Sequence, residues 1–138
     1  MSITDDILGG AEGLEVRIMD LSGANGSEPL ETVRGFSSLA HANAFARRYV
    51  RDSMEVCRPR GGDAEAAREA WFAFGEDAVV GGPEGKTIEG AWSSGSELAE
   101  FAAQPPRDRE DRNWRIIDPR KLADEEDGQD EPEEGDEA

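Results

Sequence analysis

The chain has 138 residues, with 32 acidic and 15 basic side chains, a formal net charge of −17, one histidine and one cysteine. That length supports one domain able to bury a core. A single cysteine excludes an internal disulfide framework, a lone histidine excludes a zinc site of the usual Cys and His spacings, and the acid excess opposes nucleic-acid binding by the surface as a whole.

The charge is uneven. Ten acidic residues and no basic one lie from Asp124 to Ala138, leaving 22 acidic against 15 basic, a net of −7, over the first 123 residues. That tail has no apolar side chain larger than alanine, so residues 123–138 are predicted to be a disordered acidic tail. Only Lys86 and Lys121 are lysines, and arginine, alanine and glycine are abundant, which suggests a bacterial-type protein from a GC-rich genome. Acid excess with scarce lysine also suits a salt-adapted organism, a lesser reading because the body charge is modest.

Residues 1–14 are short, Gly-spaced and acidic, and read as a flexible arm ahead of a domain over 15–122. Asp5 and Asp6 stand where a signal peptide carries positive charge, and no apolar run reaches membrane-spanning length, so the expectation is a soluble cytoplasmic protein without membrane attachment. In EVRIMDL, Val16 and Ile18 point one way and Met19 and Leu21 the other, as in a strand over 15–21. A turn-rich loop containing Asn25 and Gly26 leads to a second strand over 31–36, giving a wide hairpin.

SSLAHANAFARRYVRDSMEVCR, residues 37–58, reads as one long amphipathic helix capped by Ser37 or Ser38 and ended by Pro59, Gly61 and Gly62. At 100° per residue Leu39, Ala42, Phe45, Ala46, Tyr49, Val50, Ser53, Met54, Val56 and Cys57 fall on a core arc. The other arc carries His41, Ala44, Arg47, Arg48, Arg51, Asp52, Glu55 and Arg58, a basic face on an acidic chain. Asp63 is the predicted N-cap of a second helix, with Ala67, Ala70, Trp71 and Phe74 as its stripe and Gly75 as its stop. Residues 77–80 give a short strand, GGPEG a turn, and residues 86–92 a return strand weakened by Gly90. Ser94 and Glu97 match a capping box before a third helix that stops at Pro105 and Pro106. RDREDR is a solvated connector, and residues 113–118 a final strand with Trp114 and Ile116 on one side. The order ββααββαβ predicts an α+β fold: a small single domain, mainly antiparallel sheet, with the long helix and two shorter helices on one face.

No catalytic motif survives inspection. GGPEGKT, residues 81–87, falls short of the phosphate-binding loop: its first glycine is one residue too late, Glu84 sits where phosphate must lie, and no helix follows. His41 and Cys57 lie about 160° apart around the helix, so they face away from each other. Carboxylates are too common to nominate an acid–base pair, and the serines at 93, 94 and 96 lack a second histidine or a nucleophile elbow. An enzyme working through carboxylates alone would need a cleft. The expected reading is therefore a non-enzymatic protein–protein interaction module with no metal or cofactor, whose acidic tail supplies solubility or reaches a basic partner. The alternative is anion or nucleic-acid binding by the arginine face, Arg47, Arg48, Arg51 and Arg58, with the tail competing for it. The ordinary reading of that face is local pairing, Arg48 with Asp52 and Arg51 with Glu55. Trp92, if exposed, is the candidate contact anchor.

Overall fold

Alternation in EVRIMD fixes the centre of the sheet. A computed structural model describes residues 13–106 and 108–121; most of the arm expected at 1–14 and all of the acidic tail lie outside the described residues. Strand β1 (Glu15–Asp20) pairs antiparallel with β2 (Glu31–Val33) on one side and β3 (Glu76–Gly81) on the other, in the order β2-β1-β3. Val16 stands opposite both Val33 and Val80, and Ile18 opposite Ala78. All five are buried. With a side-chain period of two, Arg17, Met19 and Val79 must then occupy the opposite, outer face of the sheet.

Helix α1 (Leu39–Cys57) covers the inner face, burying Ala42, Phe45, Ala46, Val50 and Met54. The Ser38 hydroxyl accepts from the His41 N–H, satisfying one orphan donor of the first turn. Helix α2 (Ala64–Phe74) starts in the same way, with Asp63 accepting from the Ala66 N–H, and buries Ala67 and Trp71. The order ββαα, the antiparallel sheet and the helical cover make this the α+β fold expected.

Gly75 closes α2 for a different reason from a usual helix-stop glycine. Its φ of −87° is open to any residue, but a Cβ there would lie 2.4 Å from Trp71 Cδ1. It makes room for the largest fully buried side chain.

Two expected strands are absent, and two expected boundaries move. The return strand at 86–92 does not form. Instead the Gly82 N–H donates to the Lys86 carbonyl at 2.7 Å and the Ala91 N–H to that of Ile88 at 3.1 Å, while Gly90 has a φ of +87°. That left-handed residue bends the segment away from β3 and onto α1. The final strand at 113–118 is a 3₁₀ turn, Trp114–Ile117. A period of three, unlike a period of two, brings Trp114 and Ile117 onto the core together and leaves Ile116 outside. Strand β2 stops at Val33, short of Phe36. The capping box at Ser94 is also not made: Ser94–Ser96 is a separate 3₁₀ turn, helix α3 (Leu98–Ala103) begins after Glu97, and the Glu97 carboxylate turns elsewhere.

Because Trp71 cannot retreat, Gly75→Ala is expected to cost about 1–3 kcal/mol as an overpacked site. Gly95→Ala, where a Cβ meets nothing within 4 Å, is the neutral control, and urea midpoints compare the two.

Candidate functional site

The basic face of α1 is covered. Arg51 is only 7 % exposed; its guanidinium lies 4.5 Å from the centre of the Phe101 ring and donates from Nη2 to the Gln104 carbonyl at 2.9 Å. Arg58 donates to the carbonyls of Phe101 and Ala102, both at 2.9 Å, and forks onto Glu55 at 2.7 and 2.9 Å. These carbonyls are the orphan acceptors at the C-terminal end of α3, where cations also suit the helix dipole. Arg48 donates to the Asn113 carbonyl at 3.2 Å, and Arg47 makes a two-pronged pair with Glu97 at 2.6 and 3.0 Å. The local pairs expected for this face are replaced: Asp52 takes Arg112, at 2.7 Å, and Glu55 takes Arg58. The arc reading also misplaces Val56, which is 72 % exposed although Met54 and Cys57 in the same turn pack on the core.

Trp92 is half-buried. Its indole N–H donates to Glu97 at 2.9 Å, its backbone N–H to the Asn43 side-chain oxygen at 2.9 Å, and the Asn43 amide donates to the Gly90 carbonyl at 3.0 Å. So α1, through Asn43 and the Arg47–Glu97 pair, holds the segment 88–94 at a fixed distance from the sheet. The space left between that segment and the strands is a cleft of about 460 Å³. Met19 and Val79 form its floor, and Ile88, Ala91 and Trp92 its wall. The volume is in the range of about 300–1,000 Å³ typical of ligand sites.

One region of the cleft is cationic. Arg17 reaches over Gly85, whose φ of +82° calls for glycine; a Cβ there would stand 2.6 Å from the Arg17 Nη1 and push the guanidinium aside. Lys86 follows it in sequence and makes no ion pair among the described residues. Of the two carboxylates lining the cleft, Glu15 is taken by Arg34 at 3.0 Å and Arg17 at 3.3 Å, and Asp77 accepts from the Ala78 N–H. The cleft therefore combines an apolar floor and wall with guanidinium and ammonium donors. Lys86 and Trp92 stood out in the sequence; Arg17, Met19 and Val79 did not, although the alternation that buries Val16 and Ile18 already turned Arg17 and Met19 outward.

A second recess of about 180 Å³ lies between the ends of α1 and α2 and includes Tyr49, Cys57 and Phe74. Burial, with the Glu76 carboxylate nearby, pushes the Cys57 thiol up, which keeps it protonated. Burial and a 2.5 Å hydrogen bond to Glu76 push the Tyr49 hydroxyl up as well. His41 donates from Nε2 to the Ile117 carbonyl at 2.8 Å, since its Nδ1 accepts from the Ser37 N–H at 3.1 Å. It is a bridge between two segments. No cluster of His, Cys, Asp and Glu among the described residues could hold a metal ion, and no helix among them is long and apolar enough to cross a membrane.

Two outcomes follow from these contacts. Arg58→Ala strips the α3 carbonyls and leaves Glu55 without its partner, so it is expected to lose about 1.5–3 kcal/mol, while exposed Arg60→Ala stays within about 0.5 kcal/mol; denaturant titration reads both. The Arg47 hydrogen bond, aided by the Trp92 indole and opposed by burial, holds the Glu97 carboxyl below its usual range. Its contribution is complete above the unfolded value of about 4.3 and is lost as pH falls through the folded value. Glu97→Gln should therefore lower stability at pH 7 and flatten its decline below about pH 4.3; urea midpoints from pH 2.5 to 7 give the comparison. Compared with models of known protein families, with curated proteins and with solved structures, the chain matches none of them.

Proposed function

We propose that the chain is a non-enzymatic protein–protein interaction module, and that the cleft beside Trp92 is its contact site. The observation that carries this reading is the pairing of an apolar cleft with two cationic side chains on an acidic protein: Lys86, in no ion pair among the described residues, and Arg17, whose guanidinium meets Glu15 through Nη2. Val79 is 46 % exposed on the cleft floor, which is costly to leave in water beside other apolar groups and supports burial against a partner. The partner suited to it is a segment presenting a large aliphatic side chain next to one or two carboxylates, the first for Met19, Val79, Ile88 and Trp92, the second for Arg17 and Lys86. The rigid sheet and the α1 contacts preorganise the site, which lowers the ordering cost of binding.

Catalysis has little support in the same place. The lining carboxylates are engaged with arginines or the backbone, and no histidine or cysteine lines the cleft. The alternative of a nucleic-acid surface needs free guanidinium forks on this face, and those forks are bonded to Glu97, to α3 and to the segment that follows it.

Affinity capture with the wild-type chain, a Val79→Glu variant and a chain lacking 124–138 tests the reading. The outward Val79 tolerates a charge without disturbing the core, so loss of a specific partner set from Val79→Glu alone is the expected result. Identical sets from wild type and Val79→Glu remove the cleft from the account. Loss on deleting the tail transfers the contact to the tail.

A further inference from the structure

The cleft has a candidate occupant within the chain. Residues 3–8, Ile-Thr-Asp-Asp-Ile-Leu, carry two adjacent carboxylates beside two adjacent aliphatic side chains, the chemistry assigned above to a partner segment. We infer that the segment Asp5–Leu8 binds in cis in the cleft, with Asp5 and Asp6 toward Arg17 and Lys86 and with Ile7 and Leu8 against Met19, Val79, Ile88 and Trp92, so that the chain competes with its own partner.

Three observations carry this. The first is proximity: Glu15, the first residue of β1, itself lines the cleft, and the description of the chain starts only two residues earlier at Gly13. Eight residues from Glu15 back to Ile7 reach up to about 26 Å, well beyond what a return to an adjoining cleft requires. The second is composition: Gly9, Gly10 and Gly13 lie between that segment and β1 in sequence, and glycine allows the reversal that docking needs without steric cost. The third is charge. The first 12 residues contain three acidic side chains and no basic one, and the cleft offers Arg17 and Lys86.

Tethering decides the strength. A short flexible link gives an effective concentration on the order of 1 mM, so a segment that would bind in trans with a dissociation constant of about 100 µM is about 90 % docked in cis. An outside ligand of the cleft then binds roughly tenfold more weakly than to a chain whose arm cannot dock.

The inference rests on the cleft being a binding site, and its test separates the two. The probe is 8-anilinonaphthalene-1-sulfonate, an aromatic body with a fixed negative charge, titrated against full-length wild type and full-length Ile7→Ser/Leu8→Ser. Matching circular-dichroism spectra check that the two chains share a fold. The expected result is saturable one-to-one binding, about tenfold tighter to the variant, and displaced from it by a synthetic peptide of residues 1–11. A peptide carrying Asp5→Asn and Asp6→Asn should displace at least threefold less well. Adding Val79→Glu to the variant should abolish the signal. Equal affinity for wild type and variant, failure of the peptide to displace the dye, or a signal that survives Val79→Glu each overturns docking in cis. A partner set lost with Val79→Glu in the capture experiment would stand even then.

Discussion

The fold depends on side chains of one helix bonding to the backbone of a segment that has no ladder of its own. Among the described residues from Gly90 to Ile117 there is no strand, and the one α-helix spans only Leu98–Ala103. A buried carbonyl without a partner is costly. Here Asn43 takes Gly90, Arg58 takes Phe101 and Ala102, Arg51 takes Gln104, Arg48 takes Asn113 and His41 takes Ile117. All of these donors belong to α1 or, for Arg58, to its C-cap. Guanidinium suits the task better than ammonium, because its planar fork can serve two acceptors at once and lie against an aromatic face, as that of Arg51 does on Phe101.

That arrangement explains the charge contradiction of α1. A basic helix on an acidic chain invites an external polyanion, but the negative ends met here are the partial charges of backbone carbonyls and the carboxylates of Glu97 and Glu55. The same clamp makes the cleft. Were the segment after Lys86 paired to β3 as a strand, its own ladder bonds would draw it to roughly 5 Å from β3 and leave no volume between them. Held instead by Asn43 and Glu97, it stands off the sheet, and the outer side chains of β1 and β3 become a floor. The cleft follows from where α1 places its polar groups.

This is also where the sequence stopped being legible. Local signals were sufficient for the caps at Ser38 and Asp63, the core stripe of α1, the β1–β2 hairpin and the strand at β3, because each is set by spacing within a few residues. The strands expected at 86–92 and 113–118 had alternating apolar residues as well, but their conformation is decided by bonds to Asn43, Arg48 and His41, 47 to 76 residues away. No periodicity encodes such contacts. Gly90 was the one local warning in the first segment. In the second, Trp114 and Ile117 fit a period of three as well as the expected strand fitted a period of two. At the site, Lys86 and Trp92 were visible as unusual residues, whereas Arg17 and Met19 became informative only when β3 aligned Val79 beside them.

Net charge gives the cis arrangement a physical logic. A free acidic segment approaching a chain of −17 meets repulsion at long range before it meets Arg17 and Lys86 at short range, which slows its encounter and weakens its binding, most of all at low salt. A tethered segment avoids the approach: it is already inside the field, and its carboxylates count in the net charge whether docked or not. Docking only moves them from water to two cations. An outside partner that displaces it must therefore offer a larger apolar contact over Met19, Val79 and Ile88, rather than more negative charge. Selectivity in this cleft belongs to its floor and wall, and the cations fix the direction in which the ligand lies.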